Sequence, residues 1–139
     1  MLKKFTSNNL HRIARGYFEG FNNNKIRLVA VTGGPCAGKT TALMNITENF
    51  SSTCKVFTIP ELATIAINGG INLVPDRPLD ERKHLTKEFV KLLMAVEDYY
   101  IEAAKVEEKD VLIVADRGVM DPKAYIEPEA FDEVLEELG

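Results

Sequence analysis

The chain has 139 residues, 45 % of them hydrophobic, with a formal charge of −4 and two cysteines. That length points to one domain with a real core, and cysteines at 36 and 54 form neither a disulfide framework nor a zinc pattern, which favours reduced thiols. No apolar run approaches the ~20 residues of a membrane span, no signal-peptide core is present, and no basic stripe with interleaved aromatics marks a nucleic-acid partner.

The charge is unevenly spread. Residues 1–60 hold eight Lys/Arg against two acids, and the remainder holds nine against nineteen. Residues 1–24 form a basic amphipathic extension, with Leu10, Ile13, Ala14, Tyr17, Phe18 and Phe21 set against Lys3, Lys4, Arg12 and Arg15. Three readings stand for it: an arm packing on the domain, a mitochondrial transit peptide, or a membrane-surface helix. The two unpatterned cysteines, read as reduced thiols, point to the cytoplasm. Asn22-Asn23-Asn24 reads as a turn before the first strand.

Residues 26–32 are a short apolar, β-branched run that reads as a buried strand. It delivers Gly33-Gly34-Pro35-Cys36-Ala37-Gly38-Lys39-Thr40, a match to G-x-x-x-x-G-K-[ST]. Ala42, Leu43, Ile46 and Phe50 follow at helical spacing. Strand, glycine loop and helix are the context in which backbone N–H groups converge on a phosphate. Glycines 33 and 38 permit the backbone angles and close approach that this needs. Lys39 adds a cation for the β- and γ-phosphates, and the Thr40 hydroxyl can ligate Mg²⁺. The candidate phosphate-binding set is Gly33, Gly34, Pro35, Cys36, Ala37, Gly38, Lys39, Thr40 and Thr41. Cys36 is either a thiol activated by Lys39 and the helix terminus or a small filler.

Lys55–Ile59 is a second strand, stopped by Pro60. A short helix over 61–67 follows and ends at Gly69-Gly70. After an irregular loop over 74–79, the longest helix is expected at about 80–107, with Asp80 as its cap. Its apolar positions Leu85, Phe89, Leu92, Val96, Tyr99, Ala103 and Val106 make a heptad stripe. With only three heptads, it reads as a helix lying along a sheet rather than a coiled-coil dimer. Residues 111–115 form a third strand that ends on Asp116-Arg117-Gly118. Pro128 opens a last helix with Phe131, Val134, Leu135 and Leu138 inward and Gly139 at its stop. The order β-α-β-α-α-β-α predicts an α/β fold with right-handed crossovers in a parallel sheet.

In such a sheet chemistry collects beyond the carboxyl ends of the strands. Asp116 stands there as a candidate Mg²⁺ ligand together with Thr40. Arg117 occupies the position where a hydrolytic motor carries a water-polarising glutamate, and an arginine suits clamping a phosphoryl group. Glu61 is either a general base for an acceptor hydroxyl or a helix N-terminal acid favoured by the dipole.

Strand-then-Asp-Arg with a carboxylate after the second strand resembles the nucleoside and nucleotide kinase branch of P-loop proteins. More narrowly, the stretches from Thr32 to Thr41, Ile59 to Thr64 and Asp116 to Tyr125 resemble an AAA-type P-loop NTPase domain group. That group includes the TRPL-translocation-defect family and is related to the bacterial ribosylnicotinamide kinase domain. The resemblance covers residues 26–126. It implies ATP or GTP held with Mg²⁺ by Gly38, Lys39, Thr40 and Thr41, and an acceptor or regulatory site near Glu61 and Arg117. It also implies a three-layer, kinase-like fold with strand order 2-3-1-4-5. Residues 25–139 supply only the 2-3-1 part, so strands four and five are expected to be missing, the domain truncated, and strand one an open apolar edge. The family's two-domain design would place a β-rich, phosphate-binding barrel in a missing C-terminal region, with a phosphorylated small molecule or phosphoinositide as its partner. Three functional readings follow: a nucleotide-gated adaptor, a small-molecule kinase with Glu61 as base and Arg117 as clamp, or an inactive fragment.

Overall fold

A computed structural model describes residues 16–33, 38–72 and 76–139. Positions 34–37 of the glycine loop, residues 1–15 of the extension and the stretch 73–75 lie outside the described residues. The elements are β1 (Tyr17–Glu19), β2 (Lys25–Val31), α1 (Lys39–Phe50), β3 (Lys55–Ile59), α2 (Leu62–Asn68), α3 (Leu79–Lys105), β4 (Val111–Asp116), a 3-10 turn (Asp121–Tyr125) and α4 (Pro128–Leu138). They fall into two compact units, one built from residues 16–61 with 95–118, the other from 62–94 with 119–139.

The first unit is a four-stranded mixed sheet in the order β1-β2-β4-β3. β4 is flanked in parallel by β2 and β3, with Ile26 and Lys55 both opposite Val111. The expected three-stranded sheet with an open first strand is corrected here. Residues 17–19 form an antiparallel strand that pairs Tyr17 with Arg27, Phe18 with Ile26 and Glu19 with Lys25, and the Leu28 amide donates to the Gly16 carbonyl at 2.7 Å. The stretch works as a strand because Phe18 turns inward against the core while Tyr17 carries the Arg27 guanidinium over its ring at 5.0 Å.

Alternation puts Ile26, Ile113, Val111, Ala115 and Ile59 on one sheet face, where Ile101 and Ala104 of α3 complete a buried cluster. The turn over 20–24 caps that end of α3. The Phe21 amide donates to the Lys105 carbonyl at 2.9 Å, and Asn24 Nδ2 donates to the carbonyls of Ala104 (3.0 Å) and Lys109 (3.1 Å). Gly20 is required by closeness: a Cβ there would stand 1.8 Å from Asn24 Oδ1 and 2.9 Å from the Lys105 carbonyl oxygen.

α1 departs from expectation, since none of its residues is buried and Phe50 is 48 % exposed. α3 begins one residue before Asp80, which sits in its first turn as a dipole-favoured acid rather than a cap. Its heptad stripe is corrected in part: Phe89 and Val96 pack against the buried clusters, but Leu92, Tyr99 and Val106 are 48, 73 and 64 % exposed, while Val90, Leu93, Ile101 and Ala104 are buried.

In the second unit, Phe131, Val134 and Leu138 of α4 pack with Val90, Leu93, Val119 and Ile126. Ion pairs join the exposed sides of these two helical segments. Arg82 donates to both oxygens of Glu127 at 2.8 and 2.9 Å, Lys83 pairs with Glu133, and Lys87 meets Glu137 at 2.8 Å. The hydrogen bond from Arg82 holds the Glu127 carboxyl below the ordinary carboxylate range, and Lys87 does the same for Glu137.

Candidate functional site

The parallel strands bring the chemistry-bearing residues of the first unit to one end of the sheet. β2 ends at Val31 and leads through Thr32 and Gly33 into the glycine loop. Gly38 then takes φ 76°, a left-handed angle open to glycine. Nothing lies within 4 Å of where its Cβ would be, so conformation and not crowding demands the glycine. Gly38 caps α1 without a side-chain hydrogen bond, and the first turn of a helix is electrostatically suited to an anion. Thr40 and Thr41 are exposed in that turn. Gly34, Pro35, Cys36 and Ala37 lie outside the described residues.

Lys39, the first residue of α1, ion-pairs with Asp116 Oδ1 at the last position of β4, and its Nζ is 3.8 Å from Glu61 Oε2. Glu61 stands between the end of β3 and the start of α2, where Pro60 has stopped the strand. Its other oxygen, Oε1, accepts from Arg117 Nε at 2.8 Å. The four side chains are between 12 and 26 % exposed, so water reaches the cluster while screening it less than at an open surface.

Arg117 has φ 70°, a left-handed backbone on a residue that rarely adopts it. Its amide donates to the Val31 carbonyl at 3.0 Å, one step beyond the last β2–β4 pair, Val31 with Asp116. The β2–β4 ladder therefore runs up to the left-handed residue, whose backbone turns there. The sequence carries no signal for that conformation. Sequence reasoning also missed a cavity of about 370 Å³ lined by Leu43, Met44 and Thr47 of α1, Thr58 of β3, and Asp116.

Among the described residues no group of three or more His, Cys, Asp or Glu side chains could hold a metal by itself. That is compatible with Mg²⁺ at a phosphate site, where the ion takes one or two protein oxygens and completes its shell with phosphate and water. The donor set of Asp116 and Thr40 suits that ion chemically. No helix among the described residues is long and apolar enough to cross a membrane.

Against protein families, residues 28–138 match the AAA domain. The chain belongs to that family, a class of P-loop nucleotide-binding domains. No curated protein and no solved structure matches the chain.

Proposed function

We propose that the chain binds a purine nucleoside triphosphate, ATP or GTP, together with Mg²⁺, and that binding is regulatory, as in an adaptor of the TRPL-translocation-defect type. The observation that carries this reading is the ion pair between Lys39, at the start of α1, and Asp116, at the end of β4. A lysine at a helix N-terminus attracts phosphate, and here it is paired with the carboxylate that suits a metal. An incoming phosphate takes the ammonium, and the carboxylate is released. Asp116 and the Thr40 hydroxyl would then hold Mg²⁺, which neutralises phosphate charge when bound.

The regulatory reading is preferred over phosphotransfer because Glu61 is tied by Arg117 on Oε1 at 2.8 Å and has its Oε2 within ion-pair range, though not hydrogen-bond length, of Lys39. A general base needs an oxygen turned to the acceptor hydroxyl. The second reading, a small-molecule kinase, is favoured by the same pair standing at the strand ends, where an acceptor would approach. Phosphoinositide or phosphorylated small-molecule partners, and a cytoplasmic location, accompany the adaptor reading as proposals. Calorimetry with ATP, GTP and their diphosphates, with and without Mg²⁺, tests nucleotide binding. Saturable binding supports it, and no heat with any nucleotide refutes it. Transfer of labelled γ-phosphate to a hydroxyl compound would move the assignment to a kinase.

A further inference from the structure

We propose that Arg117 is a positioning residue that draws the Glu61 carboxylate away from Lys39, and so sets how readily that lysine is surrendered to a phosphate. The proposal rests on the nucleotide-binding reading and adds a determinant of affinity to it.

Two cations share one carboxylate at this site. Arg117 Nε makes a full hydrogen bond to Glu61 Oε1 at 2.8 Å, whereas Lys39 Nζ stands 3.8 Å from Oε2, in ion-pair range but beyond hydrogen-bond length. Lys39 itself is taken by Asp116. The backbone of Arg117 is fixed at this place. Its φ of 70° is one that glycine would adopt without strain, and its amide is fixed on the Val31 carbonyl.

Without the guanidinium, the Glu61 charge would turn onto Lys39, already 3.8 Å away. Two carboxylates would then hold one ammonium, and an entering phosphate would have to displace both beside an uncompensated anion. With Arg117 in place, Asp116 is the close partner that must yield, and Glu61 holds the lysine only at 3.8 Å. This differs from a phosphoryl clamp, in which the guanidinium itself grips the phosphate.

The test is a double-variant cycle read by calorimetry with Mg–ATP and Mg–GTP. Arg117→Gly, which accepts the left-handed backbone, is expected to weaken binding about tenfold, within the usual span of site–site coupling. Glu61→Gln removes the competing charge and is expected to bind as the parent does or tighter. The double variant is expected to return to the Glu61→Gln value. A double variant as weak as Arg117→Gly would establish a direct clamp and overturn the proposal, as would parent-like binding by Arg117→Gly. Thermal melting checks that Arg117→Gly is folded; should it not be, Arg117→Asn, which also tolerates that backbone, runs the same cycle with the same deciding outcomes. A parent chain that binds no nucleotide would overturn the functional reading and this proposal with it. Binding by the parent without rescue in the double variant would overturn this proposal alone.

Discussion

Lys39 opens α1 and Asp116 closes β4, and the ion pair between them sets the cation proposed for a phosphate against the carboxylate proposed for a metal. Asp116→Asn should therefore act oppositely on two measurements. Nucleotide binding without Mg²⁺ should be unchanged or stronger, because Lys39 is released. The gain in affinity that Mg²⁺ confers should fall by at least about tenfold, or ~1.4 kcal/mol. Titrations of the variant with and without metal check this, and equal weakening in both would make Asp116 purely structural.

On the proposed reading Lys39→Ala removes a phosphate contact, and although the side chain is only 12 % exposed its partners are carboxylates, not the apolar clusters, and α1 contributes no buried residue. Nucleotide affinity should drop below detection while the far-ultraviolet circular dichroism stays at the parent level. Retained affinity would sink the phosphate-loop assignment.

The parallel strands and the residues at their ends were legible because each is a compact β-branched run closed by a breaker or a charge, as with Pro60 after Ile59 and Asp116 after Ala115. β1 was not. Tyr17 and Phe18 lie in a basic segment whose apolar residues also fit a helical face, and only pairing with β2 decides for a strand. The face of α3 was misread for a related reason. The spacing of Leu92, Tyr99 and Val106 tracks large side chains, whereas the cores received Val90, Leu93, Ile101 and the small Ala104. In the site, Glu61 and Arg117 were named as separate actors, but their pairing depends on the left-handed angle at residue 117, which no residue type announces.

Gly20→Ala should destabilise the first unit. The new methyl would meet Asn24 Oδ1 at 1.8 Å and the Lys105 carbonyl oxygen at 2.9 Å. Asn24 cannot move aside without losing its hydrogen bonds to Ala104 and Lys109. A cost of ~1–3 kcal/mol, typical of overpacking, is expected in urea unfolding. An unchanged urea midpoint would show that the turn can open without disturbing the end of α3.

The Arg82–Glu127 pair gives a pH dependence with a definite sign. Its carboxyl titrates below the ordinary range in the folded chain, so at acidic pH the unfolded chain binds more protons. The pair's contribution is present above the unfolded carboxylate value and is lost as pH falls through the lowered folded one. Because the pair is solvent-exposed, the effect is small and salt-sensitive. Melting from neutral pH down to about pH 3 should show a slightly steeper loss for the parent than for Glu127→Gln. Identical slopes at low salt would mean the pair contributes nothing.

Two phenylalanines on helices of similar length should differ sharply in cost. Phe131 of α4 is fully buried among Val90, Leu93, Val119 and Val134, so its removal leaves a cavity that neighbours from three segments would have to fill. Phe131→Ala should cost ~3–5 kcal/mol, a large share of a stability that is ordinarily ~5–15 kcal/mol. Phe50 ends α1 with 48 % of its surface exposed, in a helix that buries no residue. Its replacement by alanine forfeits little transfer energy and opens no enclosed space, so less than about 1 kcal/mol is expected. Urea titration of both variants, followed by circular dichroism, decides the matter. If Phe50→Ala costs as much as Phe131→Ala, then α1 is seated far more deeply in solution than its exposure here implies.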